Sequence, residues 1–150
     1  MTNDEVIDLL RQAYGDEIET VMNYLTNSYV LQGLRADEVR ESLRTDARQE
    51  ELAHAEQLAE RLSELDARAP ASMEFEASQE GLQPPEDPAD ALSVIDGVIE
   101  YEEAAIETYR ALIRAAQEAD DPVTEDLAVE ILGDEEAHRA EFKSFRQDFE

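Results

Sequence analysis

The sequence predicts an all-α fold, an antiparallel four-helix bundle with one long crossover between its second and third helices. Apolar side chains recur at steps of three and four along nearly the whole chain, which is typical of helices with one core-facing side. Helix-forming residues dominate, and no segment alternates with the period of a strand. Breakers leave four segments of about 28–30 residues, and 150 residues suit a single domain spanning 1–150.

The first two segments form one helical hairpin. The first carries an apolar stripe from Ile7 to Leu31, and Gly33 interrupts it. The second carries a stripe from Val39 to Leu65. Because the connection around Gly33 is short, the two helices should be antiparallel neighbours.

The last two segments form a second hairpin, with stripes at 95–116 and 123–149. Asp121 and Pro122 fit the cap and the first position of the fourth helix. Between the hairpins, residues 69–88 contain four of the five prolines, a connection of about 20 residues. A link of that length can run the length of the bundle and therefore predicts the crossover.

The charge of the chain excludes several functions. It has 39 acidic and 12 basic residues, a net charge of −27, which argues against binding bare nucleic acid. Lys143 is the single lysine, and strong acidity with so little lysine suggests a salt-loving host. No apolar run is long enough to span a membrane and no secretion signal is visible, so we expect a cytoplasmic protein. Without cysteine, thiolate metal sites and iron–sulfur clusters are excluded.

Each apolar stripe is interrupted near its middle by ligand-type side chains. The gaps hold the following residues, in chain order: Glu17; Glu51 and His54; Glu102; Glu135 and His138. Four carboxylates in one core would repel each other and need cations, which a single lysine cannot supply. Bound metal ions are the simplest source of this positive charge.

The two histidines strengthen this interpretation. Both stand three residues after a glutamate, in Glu51-Leu52-Ala53-His54 and Glu135-Glu136-Ala137-His138, a spacing that puts both side chains on one helix face. The hairpins also echo each other, because Glu17 precedes Tyr24 by seven residues just as Glu102 precedes Tyr109. Packed about a pseudo-two-fold axis, the repeats would bring four glutamates and two histidines together. Glu50, Asp134 and Glu19 are interpreted as surface residues.

With these motifs the chain resembles the ferritin-like superfamily, and bacterioferritin in particular, over all four helices. The similarity is strongest at Gly15-Asp16-Glu17-Ile18 with Asn23-Tyr24, and at residues 130–138. The resemblance implies a di-iron site in which Glu17 with His54 holds one iron and Glu102 with His138 holds the other. It also implies that Glu51 and Glu135 bridge the ions, and that Tyr24 and Tyr109 are hydrogen-bonding groups around them.

Two departures from bacterioferritin shape the expectations. Bacterioferritin binds haem through a methionine directly after the first bridging glutamate; this position is Leu52 here, so no haem is expected. Ferritin cages carry a fifth helix after the bundle, for which the sequence has no counterpart. We therefore expect a homo-oligomer, a Dps-like dodecamer, with a dimer or a 24-subunit cage as alternatives.

Carboxylate and imidazole ligands suit iron or manganese, at two ions per subunit. The leading hypothesis is a ferroxidase that oxidises Fe(II) with O2 or H2O2 and stores iron. The alternatives are a Dps-like protein that consumes peroxide, and a non-storage di-iron or di-manganese peroxidase or oxygenase similar to rubrerythrin. A structural bundle without chemistry is the non-enzymatic alternative.

Overall fold

A computed structural model describes residues 2–149 as a bundle of four long helical arms. The helices are α1 (Thr2–Val30), α2 (Asp37–Thr45), α3 (Leu52–Glu64), α4 (Ala91–Glu118) and α5 (Pro122–Gln147). The second arm consists of α2 and α3, joined without a break by a π-helical turn over Asp46–Glu51. Three short 3₁₀ turns lie at Leu34–Ala36, Ser72–Glu74 and Glu80–Leu82. No helix in the described part of the chain is long and apolar enough to cross a membrane.

The connections agree with the predicted hairpins. A left-handed glycine, Gly33 at φ 100°, makes the turn after α1. Between α4 and α5 the turn contains Asp120, also left-handed, and Asp121, whose carboxylate caps α5 by accepting from Thr124 N at 3.1 Å. Pro122 follows at the first helical position, as predicted.

The core lies between the arms. α1 packs against α3 and α4, and α4 packs along the length of α5. Most of the predicted stripes are buried, but the stripe of the fourth helix is rotated from its predicted start. Val123 is 56% exposed, whereas Thr124 and Ala128 are buried, because the turn at 120–121 sets the rotation of the first helical turn.

The crossover, residues 65–90, is fixed to α1 by hydrogen bonds rather than by apolar contacts alone. Glu19 accepts from Ser78 N at 3.0 Å and from Gln79 N at 2.9 Å. Asn27 donates to the carbonyl oxygen of Leu82 at 2.7 Å. The prediction that Glu19 is solvated is wrong: its carboxylate is buried because it satisfies the backbone of a segment that contributes no regular element of its own.

Two glycines let the crossover approach α4 closely. A Cβ atom on Gly97 would lie 2.0 Å from the carbonyl oxygen of Gly81. Only glycine fits at this point of α4, and the turn at Glu80–Leu82 therefore rests directly on the helix one turn before Glu102.

Candidate metal centre

The six predicted ligands meet in the middle of the bundle. Glu17 comes from α1, Glu102 from α4, and the two Glu-x-x-His motifs come from the second arm and from α5. All four glutamate side chains are fully buried, and both histidines are almost fully buried. Charged residues at such depth are rare unless they are paired or bind metal.

The first half of the centre lies around His54. Its Nδ1 atom is 3.0 Å from Glu17 Oε2 and 3.8 Å from Glu135 Oε1. One potential ligand atom from each of these residues and from Glu51 lies within 4.8 Å of the others. Three carboxylates and one imidazole thus converge on a volume the size of a metal ion.

The second half lies around His138. Its Nδ1 atom is 3.2 Å from Glu102 Oε2, 3.2 Å from Glu51 Oε1 and 3.4 Å from Glu135 Oε1. Glu51 and Glu135 therefore approach both halves, whereas Glu17 and Glu102 stand at opposite ends. This is the arrangement that two bridging and two terminal carboxylates require.

Several buried polar atoms of the centre have no hydrogen-bond partner in the described structure. They are both carboxylate oxygens of Glu51, both of Glu135, Glu102 Oε1, His138 Nε2 and the Tyr24 hydroxyl. Leaving one buried polar group unsatisfied typically costs about 1–3 kcal/mol, and more when it is charged. Two divalent cations would satisfy all of the carboxylate oxygens at once, so the donor set fits a di-metal site.

Burial and crowding change the pKa values of the glutamates in the centre. Burial, with the charges of Glu17 and Glu135, raises the pKa of Glu51 well above its usual range, and burial raises the pKa of Glu135 to about 7. Burial would also raise the pKa of Glu17, but its contacts with Glu51, His54 and Tyr109 outweigh burial and lower that pKa.

The pKa values of both histidines are also raised, although burial acts on them in the opposite direction. Burial alone would lower the pKa of His54, but its contact with Glu17 raises it to about 9. For His138 the surrounding carboxylates of Glu102, Glu135 and Glu51 overcome burial and raise the pKa far above normal. Without metal, protons therefore fill the role that cations would take.

The outer ring nitrogens of the histidines make contacts that sequence reasoning missed. His54 Nε2 lies 2.8 Å from Asp134 Oδ2, and His138 Nε2 lies 2.9 Å from Glu50 Oε2. Glu50 and Asp134, interpreted from the sequence as surface residues, are partly solvated, but each also contacts a histidine of the centre, which the sequence did not predict. Each directly precedes a predicted bridging glutamate and contacts the histidine of the opposite hairpin.

The π-helical turn brings a further carboxylate to the edge of the centre. Asp46 is 5% exposed, its Oδ2 has no hydrogen-bond partner in the described structure, and its Oδ1 lies 3.9 Å from His138 Nε2. Burial raises the pKa of Asp46 to about 7. Such turns are frequent at functional sites, and no local signal in the sequence identified this one.

Three buried tyrosines surround the carboxylates. The hydroxyl of Tyr109 donates to Glu17 Oε2 at 2.8 Å. The hydroxyl of Tyr24, its counterpart in the repeat, has no hydrogen-bond partner in the described structure. The third tyrosine, Tyr101, was not predicted; its hydroxyl donates to Glu17 Oε1 at 3.4 Å.

The chain is similar to known proteins in sequence and in fold. The sequence pattern of the ferritin-like domain family matches residues 7–150. The bacterioferritin of Desulfovibrio desulfuricans is 27% identical over 135 residues, covering 89% of this chain and 70% of that protein. The crystal structure of that bacterioferritin, described with a diiron site in different catalytic states, matches 97% of this chain and 80% of its own at 23% identity and a TM-score of 0.83.

Two other solved structures share the fold. Dps from Thermosynechococcus elongatus matches with a TM-score of 0.84 and 20% identity, over 96% of this chain and 91% of its own. Ferritin-like diiron-carboxylate proteins from Bacillus anthracis match with a TM-score of 0.85 and 17% identity, over 97% of this chain and 98% of theirs. At these identities the structural matches establish the all-α, four-helix fold with its long crossover.

Proposed function

Because this chain belongs to the ferritin-like domain family, we propose that it is a ferroxidase that oxidises Fe(II) with O2 or H2O2 at a di-iron site and stores the product. One observation carries the proposal: the buried oxygens of Glu51 and Glu135 lack hydrogen-bond partners in the described structure and lie between the two histidines. The diiron site in the description of the D. desulfuricans bacterioferritin supports the choice of iron over manganese.

The residues divide into four tasks in this proposal. Glu17 with His54, and Glu102 with His138, are the terminal ligands of the two ions. Glu51 and Glu135 bridge them. Tyr109 keeps Glu17 oriented through its 2.8 Å hydrogen bond. Burial, together with the charge of Glu102, raises the pKa of the Tyr24 phenol well above its usual range.

Two ferrous ions, when bound, would supply one electron each, and with two protons from solvent these electrons would reduce H2O2 to two water molecules or O2 to H2O2. The chain contributes geometry and proton control. When Nδ1 of each histidine is a ligand, Nε2 carries the hydrogen. His54 Nε2 then donates to Asp134, which fixes the tautomer and the ring orientation, while Glu50 offers His138 Nε2 an ion-pair contact at 2.9 Å. The protons held by Glu51, Glu135 and the histidines in the metal-free state must leave as the ions bind.

Two alternatives use the same site. One is a Dps-like protein whose purpose is to consume peroxide, in keeping with the structural match to Dps. The other is a non-storage di-iron or di-manganese peroxidase or oxygenase. In all three cases we propose a homo-oligomer in the cytoplasm that binds neither haem nor nucleic acid directly.

Aerobic Fe(II) loading followed by size-resolved iron analysis tests the proposal. A ferroxidase that stores iron should oxidise two Fe(II) per subunit in a fast phase, and then retain many more irons per subunit in a soluble particle. Rapid oxidation that stops at two irons per subunit would favour the non-storage enzyme. Faster turnover with H2O2 than with O2 would favour the Dps-like alternative, and no oxidation above the protein-free rate would reject all three.

A further inference from the structure

A pocket of about 220 Å³ opens between α1, the crossover and α4. Its walls include Asp16, the turn at Glu80–Leu82, Glu100 and Ala104. Three carboxylates and no lysine or arginine line it, so its interior attracts cations. At about 30 Å³ per water molecule, it has room for a hydrated ion.

The Tyr101 side chain lies between this pocket and the metal centre. Tyr101 is 8% exposed, and its ring forms part of the lining. Its hydroxyl is the donor that contacts Glu17 Oε1 at 3.4 Å. One side chain therefore touches the solvent-open pocket on one side and a terminal carboxylate of the metal centre on the other.

The crossover keeps this pocket in shape. Gln79 donates from Nε2 to the carbonyl oxygen of Asp16 at 3.0 Å and to Thr20 Oγ1 at 2.8 Å. The close approach of Gly81 to Gly97 fixes the opposite wall against α4. The pocket is therefore built by specific hydrogen bonds and a specific glycine contact.

We propose that divalent cations reach the metal centre through this pocket and that Tyr101 is the gate at its inner end. The inference rests on the proposed function, because it requires cations to bind at Glu17 and His54. A cation that gathers at Asp16 and Glu100 replaces the phenol at Glu17 Oε1 when the Tyr101 ring moves aside. Tyr101 is a positioning residue in this scheme: it holds Glu17 until the ion arrives, and it does not carry electrons.

The opposite side of the bundle offers a competing route. A second acidic pocket, lined by Glu38, Thr45, Asp46 and Glu50, leads to the Nε2 side of His138. On that side the carboxylates meet the outer nitrogen of the histidine, whereas Tyr101 meets a ligand oxygen directly. The experiment must therefore compare variants at the solvent openings of both pockets.

Cobalt(II) binding measures the route without any redox step. Stopped-flow absorption of the Co(II) d–d bands gives the association rate, and a chelator chase gives the dissociation rate. Ala104 is exposed at the mouth of the first pocket, and Thr45 is exposed at the mouth of the second. Ala104→Arg adds bulk and positive charge, Ala104→Gln adds similar length without charge, and Thr45→Arg places the same charge at the other mouth.

We expect Ala104→Arg to slow association and dissociation at least tenfold each relative to Ala104→Gln, with the equilibrium affinity unchanged within about twofold. Thr45→Arg should change neither rate more than twofold. Tyr101→Phe keeps the ring and removes the hydrogen bond that the arriving ion must displace, so the association rate should rise about fivefold, the size typical of one lost hydrogen bond, with the dissociation rate unchanged.

Three results would overturn the proposal. Equal rates for Ala104→Arg and Ala104→Gln, or a slowing by Thr45→Arg in place of Ala104→Arg, would assign the route elsewhere. Loss of affinity through faster dissociation, with unchanged association, in Tyr101→Phe would show an altered ligand rather than a gate. Absence of Co(II) bands in the parent protein would reject the di-metal function itself, a failure distinct from the other two.

Discussion

The Nε2 atom of His54 on α3 lies 2.8 Å from the Oδ2 atom of Asp134 on α5. Across the pseudo-two-fold axis, His138 Nε2 and Glu50 Oε2 form the corresponding contact, an ion pair at 2.9 Å. Each histidine is thus positioned by the hairpin to which it does not belong. The two hairpins must dock before either histidine is oriented, which couples formation of the centre to assembly of the whole bundle.

Asp134→Asn should weaken metal binding without unfolding the protein. An amide can still contact His54 Nε2, but it no longer offers a negative charge to the Nε2 hydrogen, so the ring is a poorer ligand and less well oriented. We expect a loss of about 10–100-fold in Co(II) affinity. Calorimetric titration checks it, with Glu130→Gln, an exposed carboxylate on the same helix, as the control. Equal affinities for both variants would show that Asp134 has no role in orienting His54.

Glu51→Ala or Glu135→Ala should abolish the fast phase of Fe(II) oxidation. Both residues approach both halves of the centre, and loss of either would separate the two ions. The metal-free variants should remain folded and even gain stability, because a buried unsatisfied carboxylate is removed. Stopped-flow absorption and thermal melts measure the two effects. Glu56→Ala, at an exposed position of α3, should behave like the parent, and a parental rate in Glu51→Ala would contradict the bridging role.

The metal-free protein should lose stability as the pH rises from about 4.5 to 9. The raised pKa of Glu135, from 4.5 to about 7, contributes stability that is fully present below pH 4.5 and is lost towards pH 7. The raised pKa of His54, from 6.5 to about 9, contributes stability that is lost as the pH rises from 6.5 to about 9.

Melting curves with chelator and with Co(II) test this pH dependence. The midpoint should fall by several degrees across the range in chelator and stay nearly flat with metal, since the ions then replace the protons. Glu135→Gln should flatten the lower part of the metal-free curve. The same slope with and without metal, or no change in Glu135→Gln, would assign the effect to general repulsion among the 39 acidic residues.

No haem should copurify with the protein. Leu52, on the surface of α3, offers no sulfur ligand at the position where bacterioferritin has its methionine. Expression with ample haem should give no Soret band, whereas a band that disappears on Leu52→Ala would identify a different mode of binding at this surface.

The oligomer should depend on salt. A net charge of −27 on each subunit makes subunits repel each other, and in molar salt the Debye length is only about 3 Å, so the repulsion is screened. Light scattering should show a dodecamer in molar salt and smaller species when salt is removed. A monomer at every salt concentration would contradict storage and favour the stand-alone enzyme, and a 24-subunit mass would contradict the Dps-like assembly.

The sequence alone predicted the four helices, the crossover and all six side chains that meet in the centre. These features are local: a spacing of three or four fixes which residues share a helix face, and ligand-type residues in an apolar stripe must enter the core. The sequence also predicted that Tyr24 and Tyr109 would be equivalent, and here only the tertiary structure could decide. Tyr109 contacts Glu17, while Tyr24 finds no partner in the described residues, because the two hairpins are not perfectly symmetric.

Contacts between hairpins were decided by packing alone. Asp134, Glu50 and Tyr101 lie beside predicted ligands in the sequence, yet each acts on a residue of another helix. Helical periodicity gives the direction of a side chain relative to its own axis, and it does not specify which neighbouring helix faces it or at what height. The π-helical turn that carries Glu51 and the buried role of Glu19 under the crossover have the same origin, since both depend on how the chain docks rather than on local preference.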